Sequence, residues 1–199
     1  MKTNHIKRGR PANVSGGPAR ALEAFEVRNI LRAAQVRKTG LRDVALIEMC
    51  LCGLRISEPC AVSLGQVLNS FGKIQDTFVI HGTHTKNGKS RRVYLSQSAM
   101  NALDRYVSAN FDVEADTDKP LFGLTPNYAT TMVKKIMVEA GVNASSHSLR
   151  RTAAEKLQEH GVHPAHIQQV LSHSTLSITM RYLDTSTTNI KKAVQVLSW

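Results

Sequence analysis

Apolar side chains recur along most of this chain at the three- to four-residue spacing of helices that bury one face. Leu22, Phe25, Ile30 and Leu31 form the first such set, and Val44, Leu46, Ile47, Met49, Cys50 and Leu51 form a second that is apolar enough to read as a core helix. Ser57 followed by Glu58 and Pro59 predicts another helix start, because serine caps open backbone donors and proline is tolerated in a first turn. After Leu95 the helical spacing returns over 97–109, 126–140, 146–160, 163–171, 175–183 and 187–197. Only residues 76–81 and 90–96 read as strand: Phe78, Val79, Ile80, Val93 and Tyr94 flank Asn87-Gly88, a dipeptide suited to a tight hairpin turn. Residues 112–119 are polar and read as a loop. The expected class is α+β, a mostly α-helical domain with one small antiparallel β-sheet.

Residues 1–20 carry Lys2, Lys7, Arg8, Arg10 and Arg20, no acid, and several Pro and Gly, the composition of a flexible cationic arm. The folded domain is expected over 21–199, closing with the helix at 187–197. A length of 199 residues suits one well-buried domain and a short appendage. Hydrophobic content of 42% with 21% charged residues excludes a disordered chain. The balance of 26 Lys and Arg against 15 Asp and Glu gives a net charge of +11, a field that favours polyanions. Charge by itself does not separate DNA from RNA or an acidic membrane surface.

Cys50, Cys52 and Cys60 are an odd number in an apolar region and read as buried free thiols, not a disulfide framework. The N-terminus has charge without a following apolar run, so no secretion signal is expected. The longest apolar stretch, 44–54, is interrupted by Glu48 and falls short of the roughly 20 residues of a membrane span. A soluble, cytoplasmic protein with no membrane partner is the expectation.

Four short segments hold residues suited to phosphate chemistry. In His147-Ser148-Leu149-Arg150, His147 and Arg150 share a helix face, behind a cap at Ser145 or Ser146. Arginine grips two phosphate oxygens and histidine moves a proton near neutral pH; the plain alternative is a solvated basic helix end. Leu171-Ser172-His173-Ser174 is followed nine positions later by Tyr182, where a helix cap and a half-buried aromatic would be unremarkable. Gly53-Leu54-Arg55-Ile56-Ser57-Glu58 places Arg55 between helices, with a surface ion pair to Glu58 as its ordinary reading. Thr85-Lys86-Asn87-Gly88-Lys89 places Lys86 at the hairpin tip, where lysine often serves only solubility.

The ordered combination is more specific than any segment. Arg in a GLRxSE context, Lys on a hairpin, HxLRR, LxH and Tyr nine residues on closely resembles the catalytic domain of the tyrosine recombinases, or phage-type integrases, over about residues 21–199. The resemblance implies that Arg55 and Arg150 clamp the phosphate, that Lys86 is the hairpin lysine, that His147 and His173 are the two active-site histidines and that Tyr182 is the nucleophile. It implies double-stranded DNA as substrate, a 3′-phosphotyrosyl intermediate, a homo-oligomeric, tetrameric synapse and no metal or other cofactor, with the C-terminal helix either exchanged with a neighbouring subunit or packed on its own domain. Two positions depart from the usual pattern, Pro59 in place of Leu and Ser172 in place of Gly. A catalytic domain without the helical core-binding domain that usually precedes it is the expectation.

Lys7-Arg8-Gly9-Arg10-Pro11 resembles an AT-hook core, which implies an extended strip in the minor groove. Three other functions fit parts of the sequence: a non-cleaving DNA-binding regulator or architectural protein, a metalloprotein using His160, His163, His166 and His173, and a type IB topoisomerase. The six-residue set favours the recombinase over the regulator. Pro164 between two of the histidines, and the lack of a cysteine pair at ligand spacing, disfavour the metal site.

Overall fold

In the computed structural model, which describes residues 19–82, 88 and 90–180, the most apolar stretch of the chain becomes the central helix. This is α2 (Gly40–Leu51), in which Ala45, Leu46, Ile47, Met49 and Cys50 are fully buried. It packs against α1 (Ala24–Gln35), α4 (Gln97–Asn110) and α6 (Ser146–Glu159). A helix surrounded in this way needs apolar residues on nearly every side. Helix α5 (Pro126–Glu139) completes the main core against α1 and α6.

On α1 the stripe that faces the core is Ile30 and Ala34. Phe25, expected with that stripe, is 56% exposed, because it lies five positions before Ile30 and so about 140° around the helix. The helix start expected at Ser57 shrinks to a single 3-10 turn over Pro59–Ala61. The cap that works here is Ser63, whose N–H donates to the Gln66 side-chain oxygen at 2.9 Å at the start of α3 (Leu64–Val67). Pro59 is buried at the first position of its turn, where its missing N–H costs nothing.

The sheet has two antiparallel strands among the described residues, β1 (Thr77–Ile80) and β2 (Arg91–Tyr94), each shorter than expected. The register pairs Phe78 with Val93 and Ile80 with Arg91. All four of these residues are buried, so an arginine occupies an inward position of β2. Gly88 has φ +66, and a Cβ on Gly82 would stand 2.3 Å from its carbonyl oxygen; because Ile80 pairs with Arg91, residues 81–90 join the strands, and the tight turn expected at Asn87-Gly88 falls in a stretch that lies partly outside the described residues.

Two shorter helices follow α6. Helix α7 (Pro164–Leu171) packs on α6 through a small second core of Ala154, Ile167 and Leu171, and α8 (Leu176–Met180) packs on α7. The expected arm with Lys7, Arg8, Gly9, Arg10 and Pro11, the residues Lys86 and Tyr182, and the helix expected at 187–197 lie outside the described residues. Cys50, Cys52 and Cys60 are free; Cys50 is buried, and the other two are only partly so.

Helix α7 ends on Ser172 at φ 50 and ψ 49, the only left-handed non-glycine residue among those described. Left-handed backbone brings Cβ against the carbonyl oxygen, a strain that glycine lacks. Ser172→Gly is therefore expected to raise unfolding stability by about 1 kcal/mol, read as a higher urea midpoint at unchanged slope. An unchanged or lower midpoint would contradict this account of the cap.

Candidate active site

The site starts where α2 runs out. Gly53 turns the chain with φ +89, a conformation that glycine adopts without strain, and it lies beside the end of α7, where a Cβ would meet Leu171 Cδ2 at 2.9 Å. Two residues later Arg55 leaves the core with its side chain 22% exposed, and the chain folds back through Glu58, whose carboxylate is almost wholly buried.

That carboxylate accepts from both sides. Arg55 donates its backbone N–H to Oε2 at 2.6 Å and a guanidinium N–H to Oε1 at 3.2 Å. From β2, Arg91 donates Nε–H to Oε1 at 3.2 Å and a second N–H to Oε2 at 2.7 Å, the forked geometry that arginine makes with carboxylates. A third Arg91 N–H reaches the carbonyl of Val170 in α7, at 3.0 Å. Burial works to raise the Glu58 carboxyl, but the charges of Arg91 and then Arg55 outweigh it and hold it below the ordinary carboxylate range. The ordinary reading of Arg55, a surface pair with Glu58, is thus half right: the pair exists, but its carboxylate is interior and shared.

Arg150 comes from the first turns of α6. It is buried, and its two terminal nitrogens donate to the carbonyls of Gly53 and Leu171. Helix C-terminal carbonyls carry partial negative charge, so the ends of α2 and α7 suit a guanidinium. His147, one turn earlier, is exposed. Sharing a helix side with Arg150 does not give it the same environment, because the Arg150 chain turns inward to those carbonyls. Ser145 is the cap residue of α6; its N–H donates to Ser148 Oγ at 3.4 Å.

His173 follows the left-handed Ser172. Its N–H donates to the Gln168 carbonyl at 3.1 Å, its own carbonyl accepts from the Gln168 side chain at 3.1 Å, and its Nδ1 lies 2.9 Å from Thr179 Oγ1. Burial and then the charges of Arg150, Arg55 and Arg91 push the imidazole down to about 4. Of the six candidates, Arg55, Arg150 and His173 therefore converge, His147 stands at the exposed start of α6, and Lys86 and Tyr182 fall outside the described residues. Sequence reading missed Arg91 and the central position of Glu58. Strand alternation carried the signal for Arg91: it lies two residues before Val93 and so shares that residue's inward face.

Histidines of the α6–α7 region have partners other than a metal. His163 caps α7 by accepting from Ala165 N–H at 3.2 Å, and His160 Nδ1 lies 2.8 Å from the Lys156 carbonyl. Among the described residues no group of three or more His, Cys, Asp or Glu is placed to hold a metal ion, and no helix is long and apolar enough to cross a membrane.

The model of the phage integrase family matches residues 20–189. A tyrosine recombinase XerA of Pyrococcus horikoshii is 29% identical over 183 residues; the match covers 88% of this chain, which spans only 60% of that relative's length. Among solved structures, the catalytic domain of bacteriophage HP1 integrase superposes with a TM-score of 0.65 at 20% identity, covering 89% of this chain and 94% of that one. The Tn1549 transposon integrase, in complex with transposon right end DNA, gives a TM-score of 0.71 at 17% identity over 91% of this chain and 66% of its own. At these identities the structures speak for the fold.

The depressed His173 has a consequence for stability. The unfolded chain takes up this proton near the ordinary 6.5 and the native site only near 4, so the contribution is fully present above 6.5 and is lost as pH falls from 6.5 to 4. His173→Gln should flatten the fall of unfolding free energy across that window, measured by urea titration at a series of pH values. Parallel curves for the two proteins would show that His173 is not the group responsible.

Proposed function

The chain belongs to the phage integrase family, and from that premise we propose that it is a site-specific DNA recombinase that cleaves and rejoins double-stranded DNA through a 3′-phosphotyrosyl intermediate. The observation that supports this most strongly is the convergence of Arg55 and Arg150 beside His173 from three separate segments of the chain. A phosphodiester repels nucleophiles, and its pentacoordinate transition state concentrates negative charge on the nonbridging oxygens. Preorganised donors at those oxygens are the largest single aid to such a reaction, about 2.7–4 kcal/mol for one donor removed in other enzymes.

In this reading Tyr182 is the nucleophile. Its phenolic oxygen bonds to phosphorus as the bond to the 5′ oxygen breaks. The phenol proton passes to a base, with His147 as the candidate, and Lys86 protonates the departing 5′ oxygen. The ester conserves the energy of the broken bond, so a 5′ hydroxyl from another strand reverses the step without a further energy source. No proton or electron is left over, and the chemistry calls for no cofactor.

The domain division belongs to the same proposal: an arm over 1–20 and a catalytic domain over 21–199. Lys7, Arg8, Gly9, Arg10 and Pro11 add affinity along the minor groove. Recombination pairs two sites, so the active form is a homo-oligomer on DNA, a tetramer in the full synapse. The stripe Ile190, Ala193, Val194 and Leu197 of one subunit docks on its neighbour. A largely apolar cavity of about 570 Å³ bordered by Val27, Leu51, Tyr94, Leu157 and Val170 is the proposed receptor for it. The protein acts in the cytoplasm, on nucleoid DNA.

Covalent trapping on nicked duplex DNA tests the nucleophile. Tyr182→Phe should bind DNA as the native chain does and lose denaturant-resistant protein–DNA adducts by at least about a thousandfold. Adducts persisting in this variant would move the role to another tyrosine, and adducts missing from the native chain on a comprehensive site library would favour a non-cleaving regulator on the same fold. Lys86→Ala should slow cleavage by about 100- to 10,000-fold on ordinary DNA. A bridging 5′ sulfur, which leaves without protonation, should restore most of that rate; no rescue would remove Lys86 from the general-acid role.

A further inference from the structure

Thr179 is fully buried on α8, and its hydroxyl oxygen lies 2.9 Å from Nδ1 of His173, which is buried as well. His173 sits in the link between α7 and α8. Its backbone is held from the α7 side by the two hydrogen bonds with Gln168, and its ring is held from the α8 side by Thr179. Thr179 also stands three positions before Tyr182 in the sequence.

A neutral imidazole carries one proton and so has two forms with opposite uses. With the proton on Nδ1, the ring donates to Thr179 and leaves Nε2 a bare acceptor, which has nothing to offer an anion. With the proton on Nε2, the ring accepts from Thr179 and keeps a donor for a phosphate oxygen. The hydroxyl decides between them, because a buried hydroxyl must place its own hydrogen. Thr130, Thr131 and Thr152 donate to the carbonyl four residues back. Among the described residues Thr179 makes no such bond, and its hydroxyl partner is the His173 ring. Depression of the imidazole to about 4 is consistent with a single ring proton at neutral pH.

We infer that Thr179 is a positioning residue: its hydroxyl donates to His173 Nδ1, fixes the ring with its proton on Nε2, and ties the seating of α8 to the orientation of His173. A ring held in this way presents one N–H in a fixed direction. If α8 shifts, the ring loses its anchor, so the segment that leads to Tyr182 and the donor on His173 are set together. The consequence for cleavage rests on the phosphoryl-transfer reading given above, whereas the tautomer does not.

The full chain labelled with ¹⁵N-histidine tests the tautomer at neutral pH through long-range correlations of the ring nitrogens, with the His173 signals assigned by their loss in His173→Gln. The native chain and Thr179→Ser should show Nε2 protonated and Nδ1 bare, and Thr179→Val should shift population towards protonated Nδ1. Protonated Nδ1 in the native chain, or an unchanged tautomer in Thr179→Val, would overturn the inference; if the valine variant does not fold, the native and serine spectra decide. In covalent trapping, Thr179→Val should be slowed about tenfold or more at unchanged DNA affinity, with Thr179→Ser close to native, because a histidine in the wrong tautomer loses its role. Native-rate cleavage by Thr179→Val would also overturn the inference. If the native chain forms no adduct at all, the recombinase reading fails while the spectra still settle the tautomer.

Discussion

Glu58 carries a negative charge into the interior, and such a charge is tolerable only where cations and donors surround it. Here two guanidiniums and one backbone N–H converge on its two oxygens. Removing one member of a buried pair of this kind costs about 3–5 kcal/mol, because the other charge is left unmatched. The pairing therefore fixes positions more than it adds net stability. Through Glu58 the turn after α2 is fastened to β2, and through Arg91 both are fastened to the Val170 carbonyl near the end of α7. The hairpin strand, the Arg55 turn and the approach to His173 cannot shift independently of one another.

Arg150 depends on that framework. Its donors end on the carbonyls of Gly53 and Leu171, groups that lie at the exits of α2 and α7. Gly53 makes the first of those exits with φ +89, a backbone conformation that L side chains rarely adopt. A positive-φ turn at Gly53, a left-handed turn at Ser172 and a buried ion pair all occur close together. Each is locally unfavourable, and each is held by the large regular core of α1, α2, α4 and α5 beside it.

The regular parts were legible because periodicity reports burial. Residues 126–140 and 146–160 were expected as helices and form α5 over Pro126–Glu139 and α6 over Ser146–Glu159, and the two expected strands pair antiparallel as β1 and β2. Three of the candidate site residues, Arg55, Arg150 and His173, do meet. What escaped was the part written in long-range pairing. The Ser57-Glu58-Pro59 string has the composition of a helix start, yet Glu58 faces inward towards Arg91, 33 positions away, and the helix is reduced to one turn. Thr179 looks like any polar residue of a short helix until His173 is placed against it. Local propensity had no means of registering either contact, since both partners come from other elements.

Gathering arginines limits what a histidine among them can do. Arg150, Arg55 and Arg91 all disfavour a charged imidazole at position 173, and burial adds to their effect. A further cation there would be redundant for binding an anion and costly before the anion arrives. A neutral ring with a fixed N–H avoids that cost and supplies direction, which a guanidinium already bonded to carbonyls or to Glu58 supplies only in part. On the proposed reading the labour divides accordingly. The arginines set the potential that draws the phosphate in, while His173, steadied from the helix that leads to Tyr182, sets the angle at which one of its oxygens is met.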